Sequence, residues 1–162
     1  MKIIEYNDRY LENVKGLLTE LEEYIVSIDI DELDHVHPDY HEKMAVLDLE
    51  EINKKNGKCY LAVDGDVCVG LIMGIIIEFD ENDYLDYKCP KEGEITELIV
   101  SSKCRNKGLG KQLMQKMEDY FKEMGCEYIL VDVFAYNEKA IKFYDKNGYH
   151  SRMYTNIKKI KD

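Results

Sequence analysis

Two glycines and three basic side chains fall within one short segment of the chain, which reads RNKGLGKQL. Gly108 and Gly110 lack Cβ atoms, so the backbone amides around them can converge on an anion. A long amphipathic stretch follows, and a helix starting here adds the positive end of its dipole. The segment therefore predicts a site for a phosphate or pyrophosphate group. The alternative is a plain helix N-terminus with solvated cations, which are Arg105, Lys107 and Lys111.

Two kinds of nucleotide site match this segment poorly. A P-loop requires a Ser or Thr after the lysine, but Gln112 follows Lys111, so a magnesium-nucleotide site is not supported. A dinucleotide fingerprint requires a third glycine where Leu113 stands, although Asp132 lies near the distance expected for its acidic residue. A nucleotide-dependent oxidoreductase is thus the less favoured interpretation.

A second motif lies further along the chain, in the run NEKAIKFYDKNGY. Together with the strand-like run ITELIVS and the Arg-x-x-Gly-x-Gly pattern that starts at Arg105, it resembles the GNAT superfamily of N-acetyltransferases. The matches span about residues 94–150. The family pattern Asn-x-x-Ala-x-x-Phe-Tyr-x-x-x-Gly-Phe/Tyr is met at Asn137, Ala140, Phe143, Tyr144, Gly148 and Tyr149.

This resemblance implies acetyl-CoA as co-substrate, without a metal, and transfer of its acetyl group to a primary amine by direct attack in a ternary complex. The coenzyme's pantetheine arm is expected to pair with the strand residues Leu98, Ile99 and Val100, and the backbone amide of Ile99 or Val100 would polarise the thioester carbonyl. Asn137 would lie near the coenzyme as well as capping a helix. The pyrophosphate would bind to Arg105, Asn106, Lys107, Gly108, Leu109, Gly110 and Lys111.

Two side chains are the candidates for proton transfer. Tyr144 occupies the family's tyrosine position, where its phenol can protonate the departing thiolate and also contact the coenzyme; the alternative is a core aromatic beside Phe143. Glu97 lies on the strand next to the coenzyme and is the candidate general base. The alternatives are a structural glutamate within the sheet, or Glu94 as the base.

Histidines and cysteines are not assigned a catalytic or metal-binding role. His35, His37 and His41 are spaced permissively for a metal but have no cysteine partners, so we expect contact with the acceptor and no metal. Cys104 and Cys126 have no histidine nearby in the sequence, and a covalent acetyl-cysteine step is therefore not expected.

The elements that must position these residues alternate between helical and strand patterns. Strands are expected at the start of the chain, on both sides of the Asp64–Asp66 turn, at GEITELIVS, at CEYILVDVF and from Tyr149 to Ile160. In GEITELIVS we expect Ile95, Glu97 and Ile99 on one face. Helices are predicted over 9–28, 42–55, the stretch after Gly108, and 137–147. The fold class is α/β (α+β): a mixed, largely antiparallel sheet of about six or seven strands with about four helices, in a single domain over residues 1–162.

Charge and composition restrict the partners. The net charge of −11 argues against nucleic-acid binding, which needs a basic face. Acidic runs at 27–34 and 78–87 favour a cationic small-molecule or peptide amine as acceptor, although such runs are also typical of solvated loops. A non-catalytic acyl-CoA-binding or sensing domain is the alternative function.

Cysteine usage and hydropathy bear on location. Five scattered cysteines without a CxxC pair indicate reduced thiols, the first ten residues lack an apolar signal core, and no stretch is apolar enough for a membrane span. We therefore expect a cytoplasmic protein without a membrane partner. A homodimer is common in the family and is the assembly that the resemblance suggests.

Overall fold

Short apolar runs separated by tight turns form five strands in a computed structural model of the protein, which describes residues 1–105 and 107–161. The sheet order follows the chain order. The first three pairings are antiparallel and the last, between the fourth and fifth strands, is parallel. The strands are β1 (Lys2–Glu5), β2 (Lys58–Asp64), β3 (Val67–Ile76), β4 (Glu92–Val100) and β5 (Tyr128–Val131).

Four α-helices accompany the sheet, as predicted: α1 (Leu11–Ile28), α2 (Tyr40–Lys54), α3 (Leu109–Glu123) and α4 (Glu138–Lys146). The mixed, largely antiparallel sheet is also confirmed. By density of contacts the chain divides into two units, Met1–Asp132 and the residues from Val133 onward. The single domain over 1–162 stays a prediction.

The first unit packs helices on both faces of the sheet. Alternate side chains of a strand point to opposite faces. Met73 lies in a buried cluster with Val14 and Leu18 of α1 and Ala45 of α2, so its face of β3 is covered by α1 and α2. The neighbouring Gly74 faces α3, because a Cβ added there would come within 2.8 Å of the Phe121 ring.

The second unit contains α4 and an irregular segment after it. Asn137 caps the helix, since its side-chain oxygen accepts a hydrogen bond from the Ala140 amide at 3.1 Å. The strand expected from Tyr149 to Ile160 is not present in the described residues, so the sheet has five strands there and not six or seven. The large apolar side chains of this segment follow no period of two and are exposed; they are Met153, Tyr154, Ile157 and Ile160.

Candidate functional site

A β-bulge in β4 decides where Glu97 points. Gly74 of β3 pairs with Ile95, but the preceding Met73 pairs with Glu97, so Thr96 is an extra residue in β4. Paired residues share a face of the sheet. Glu97 therefore lies on the α1 and α2 face with Met73, whereas Ile95 lies on the α3 face with Gly74. The expectation that Ile95 and Glu97 share a face is wrong, because it assumed uninterrupted alternation.

Carboxylates from two helices influence the ionisation of Glu97 on this face. Glu97 is partly buried, and burial raises its pKa to about 8, with further contributions from the charges of Asp48 on α2 and Glu22 on α1. Burial also raises the pKa of Asp48, to about 6, with Glu51 adding to the shift. The Oδ2 atom of Asp48 is buried and has no hydrogen-bond partner in the described part of the structure. We call Glu22, Asp48 and Glu97 the carboxylate cluster.

Tyr40 completes the surroundings of the carboxylate cluster. Its hydroxyl donates a hydrogen bond to Glu22, and burial followed by the charges of Glu22, Glu97 and Asp48 raises its pKa. Its phenol therefore stays protonated near neutral pH. Burial and the charge of Asp34 raise the pKa of Glu22, while Tyr40 and His35 oppose that shift. The cluster is accordingly a place where an incoming cation would relieve repulsion among carboxylates.

Glu94, the rival base, has a different environment. It pairs with Ile75, which belongs to the buried cluster under α1 and α2, so the bulge brings Glu94 and Glu97 to one face although they are three residues apart. Burial raises the pKa of Glu94, and so does Asp132, but the charge of Lys55 opposes them. No cation contributes to the shift of Glu97 among the described residues. Glu97 is therefore the stronger candidate for an uncompensated base.

Glu22, Asp48 and Tyr40 are not among the site residues predicted from the sequence. A signal for the two acids was present in the helical periodicity. Glu22 follows Leu18 by four residues, and Asp48 follows Ala45 by three and precedes Ile52 by four. Both acids thus occupy positions of the apolar face of their helix, where an unpaired carboxylate is costly and suggests function. The signal was available, but no motif marked it.

The end of β4 has one open edge. Leu98, Ile99 and Val100 pair with β3, while the pairing of β4 with β5 ends at Ile95. No strand in the described ranges 1–105 and 107–161 pairs with the other edge of Leu98–Val100. An extended ligand with amide groups can add to such an edge as a further strand does. This geometry is compatible with the predicted pantetheine contact.

A glycine in the left-handed region precedes the first residue of α3. Gly108 has a φ of +74°, in the left-handed region, and an added Cβ would meet no atom within 4 Å. Leu109 is buried and anchors the turn, while Lys107 and Lys111 are exposed. The first amides of a helix have no acceptor within it, so those of Leu109, Gly110 and Lys111 can bind an anion. Asn106, also predicted here, lies outside the described residues.

Arg105 is held by contacts with two elements. Its Nε donates to the carbonyl oxygen of Val100 at 3.0 Å, its Nη2 lies 3.9 Å from Oε1 of Glu20, and its guanidinium carbon lies 5.9 Å from the centroid of the Tyr24 ring. The same Glu20 oxygen accepts a hydrogen bond from the Ser102 amide at 2.8 Å. The loop between β4 and α3 is thereby joined to α1.

Tyr144 and Asn137 belong to the second unit, and the other predicted site residues belong to the first. The Tyr144 ring is partly buried and packs edge-on against Phe143 at 5.4 Å and against Tyr149 at 5.6 Å between ring centroids. Capping explains the position of Asn137 by itself. The roles of both residues beside the coenzyme stay predictions.

Some carboxylates of the acidic runs organise their own loops. The Asp29 carboxylate accepts hydrogen bonds from the amides of Asp31, Leu33 and Asp34, which lower its pKa against the opposing effect of burial. Asp80 accepts hydrogen bonds from two amides of its own loop in the same way. These contacts agree with the alternative reading of such runs as loop structure.

Metal-binding groups and membrane-crossing helices are both absent from the described residues. Within 1–105 and 107–161, no three or more His, Cys, Asp or Glu side chains are grouped so that they could hold a metal ion. No helix in those ranges combines the length and the apolar character that a membrane crossing requires.

Known proteins resemble the chain in sequence. Residues 18–149 match the model of the acetyltransferase (GNAT) family. N-alpha-acetyltransferase 30 of Xenopus laevis is 32% identical over 91 residues, 56% of this chain and 31% of that protein. Glucosamine 6-phosphate N-acetyltransferase of Arabidopsis thaliana is 37% identical over 60 residues, 37% of this chain and 38% of that protein. The matched parts thus cover less than two-fifths of these two relatives.

Solved structures share the fold. The tetramutant of the BH1408 protein from Bacillus halodurans has a TM-score of 0.84 at 18% identity, covering 99% of this chain and 100% of that one. An aminoglycoside N-acetyltransferase, AAC(6')-Iy in complex with CoA, has a TM-score of 0.70 at 17% identity, with coverage of 99% and 100%.

Proposed function

Because the chain belongs to the acetyltransferase (GNAT) family, we propose that it transfers the acetyl group of acetyl-CoA to a primary amine of a cationic small molecule or peptide. The family match, the relatives named N-acetyltransferases and the fold shared with a CoA-bound acetyltransferase support the acetyl-transfer chemistry. The acceptor class is inferred from this chain's own residues.

The carboxylate cluster is the observation that carries the proposal. A primary ammonium group is protonated near neutral pH and must lose a proton before it can attack a thioester. Glu97, with a pKa near 8, is basic enough to accept that proton, and Glu22 and Asp48 attract the ammonium group beforehand. A carboxylate cluster would repel a phosphorylated or otherwise anionic acceptor. The preference for a cation therefore follows from local charge.

The donor side uses the loop and strand that follow Glu97. We assign the pyrophosphate of acetyl-CoA to the segment from Arg105 to Lys111, where cationic side chains and the first amides of α3 lie together. The pantetheine arm would run along Leu98–Val100, whose edge beyond the β5 pairing is open. This arrangement brings the thioester to the strand that carries Glu97.

The transfer itself forms a carbon–nitrogen bond and breaks a carbon–sulfur bond. Glu97 accepts a proton from the ammonium, and the free amine attacks the thioester carbonyl. The amide of Ile99 or Val100 donates a hydrogen bond to the oxyanion that forms. Tyr144 then donates its phenolic proton to the departing thiolate, and the tyrosinate takes up the second proton that the attacking nitrogen must lose. The products are the N-acetylated amine and CoA, with Glu97 protonated.

A non-catalytic acyl-CoA sensor is the second candidate function, and Tyr144→Phe separates the two. In an enzyme, the variant should bind acetyl-CoA as the wild type does but lose about 100-fold or more in turnover, because the proton-donating hydroxyl is removed while the aromatic ring is kept. Acetyl-CoA affinity is measured by calorimetry and turnover by release of the CoA thiol. Tyr136→Phe is the matched control, since Tyr136 is exposed in the same unit. A wild type that binds acetyl-CoA and releases no thiol with any amine would favour the sensor.

Location and assembly remain predictions that accompany this function. We propose that the protein acts in the cytoplasm and forms a homodimer. Light scattering of the purified chain checks the assembly, and a monomer at all accessible concentrations would contradict it.

A further inference from the structure

We propose that Glu20 of α1 is a positioning residue for the donor loop, defined as the described residues 101–105 and 107–111. Its carboxylate holds the start of this loop in the conformation that presents Arg105 and the first amides of α3 to the pyrophosphate of acetyl-CoA. The inference rests on the proposed function, because it concerns the same donor site. Nothing in the family motifs includes this residue.

A hydrogen bond joins Glu20 to Ser102. Ser102–Cys104 forms a single turn of 3₁₀ helix, and Ser101 makes no side-chain cap for it. The Ser102 amide instead donates to Oε1 of Glu20 at 2.8 Å, across a sequence separation of 82 residues. A carboxylate that accepts from an amide at the start of a helical turn is a strong capping interaction. Glu20 thus caps this turn from another helix.

The Arg105 side chain is held in place beside this hydrogen bond. Its guanidinium donates to Val100 at the end of β4 and lies against Tyr24, which is one helical turn after Glu20 on α1. Its Nη2 atom lies 3.9 Å from Glu20, beyond hydrogen-bond distance. These contacts with β4 and α1 restrict the conformations of the Arg105 side chain before any ligand binds. Less conformational entropy is therefore lost when Arg105 binds an anion.

The distances from Glu20 to the Ser102 amide and to the Arg105 guanidinium indicate whether Glu20 positions the loop or competes with the pyrophosphate for Arg105. If Glu20 mainly neutralised Arg105, it would compete with the pyrophosphate and its removal would strengthen binding. The hydrogen-bonding contact is with the Ser102 amide and not with the guanidinium. The acceptor oxygen therefore matters more than the charge, and a glutamine in this place should retain most of the function.

The test compares acetyl-CoA binding by calorimetry in Glu20→Ala, Glu20→Gln and the control Glu23→Ala, which changes an exposed glutamate of the same helix. We expect the dissociation constant to rise about tenfold in Glu20→Ala, as for loss of a hydrogen bond to a charged group, and to stay within about twofold in the other two. Steady-state kinetics should show the KM for acetyl-CoA raised in Glu20→Ala, with kcat and the KM for the amine unchanged.

A change on the loop side provides an independent test. Ser102→Pro removes the donating N–H, and the backbone of Ser101, with φ −47° and ψ 137°, is compatible with a following proline. It should weaken acetyl-CoA binding about as much as Glu20→Ala, and the double variant should be no weaker than either single variant. Additive losses would contradict the shared contact.

Other outcomes also overturn the proposal. Binding within twofold of the wild type in Glu20→Ala, tighter binding in either Glu20 variant, or equal loss in both Glu20 variants would each exclude positioning through the acceptor oxygen. A wild-type protein that does not bind acetyl-CoA would instead contradict the proposed function, so the two failures are distinguishable.

Discussion

At the scale of single residues, Glu97 combines a cost to folding with a chemical advantage. Its folded-state pKa lies near 8, above the ordinary value of 4.5. Between pH 4.5 and about 8, this carboxyl binds more protons in the folded state than in the unfolded state. The free energy of unfolding therefore falls as the pH rises through this range. A base of this kind is favourable for accepting a proton from an amine and unfavourable for stability.

Glu97→Gln therefore has opposite expected effects on activity and stability. Turnover should fall about 100-fold or more, because the proton acceptor is lost. The melting temperature at pH 8–9 should stay the same or rise, because glutamine carries no buried charge. Thiol-release assays and thermal denaturation measure the two. Glu94→Gln is the matched control, and a marked drop in melting temperature with little change in turnover would indicate a structural Glu97.

Asp48→Asn tests the electrostatic link within the carboxylate cluster. Removing the charge of Asp48 should lower the pKa of Glu97, because like charges disfavour ionisation. The rising limb of the rate against pH should then move to lower pH. An unchanged limb, measured by initial rates at saturating acetyl-CoA, would show that Asp48 does not act on the base.

At the scale of elements, the bulge at Thr96 shows the limit of sequence periodicity. The five strands, the four helices and the glycine turn before α3 were predictable from apolar spacing and turn residues, but the strand expected from Tyr149 to Ile160 is absent from the described residues. The bulge was not, because Thr96 continues the alternation of the run without a glycine or proline to mark the irregularity. Glu22 and Asp48 were missed for another reason, because their position on the apolar faces of α1 and α2 was visible in the sequence but no motif marked it.

Glycines distinguish tight from open packing of the helices. Gly93→Ala would place a Cβ within 2.5 Å of the Phe121 ring, and we expect a loss of about 1–3 kcal/mol in unfolding free energy from overpacking. Gly16→Ala is the control within α1, where nothing lies within 4 Å, and should gain about 0.5–1 kcal/mol from helix propensity. Denaturant unfolding compares them, and equal effects would contradict this packing of α3 on the sheet.

For the whole molecule, composition gave the sign of the net charge, but only the structure shows where the carboxylates relevant to the acceptor lie. The net charge of −11 suggested a cationic acceptor, but the chosen acidic runs contain carboxylates, such as Asp29, that bind their own loop amides. The carboxylates that raise the pKa of Glu97 lie instead on α1 and α2, and from the first run only the charge of Asp34 reaches them, through Glu22. The family match concerns the donor chemistry, and these residues concern the acceptor.

The decisive measurement is the rate of CoA thiol release from acetyl-CoA, compared for cationic amines and for neutral and anionic amines of similar size. We expect turnover with the cationic amines, a preference for them that weakens as salt is raised, and an N-acetylated product by mass spectrometry. Thiol release only with neutral or anionic amines, or a cation preference that survives in Glu97→Gln and Asp48→Asn, would contradict it.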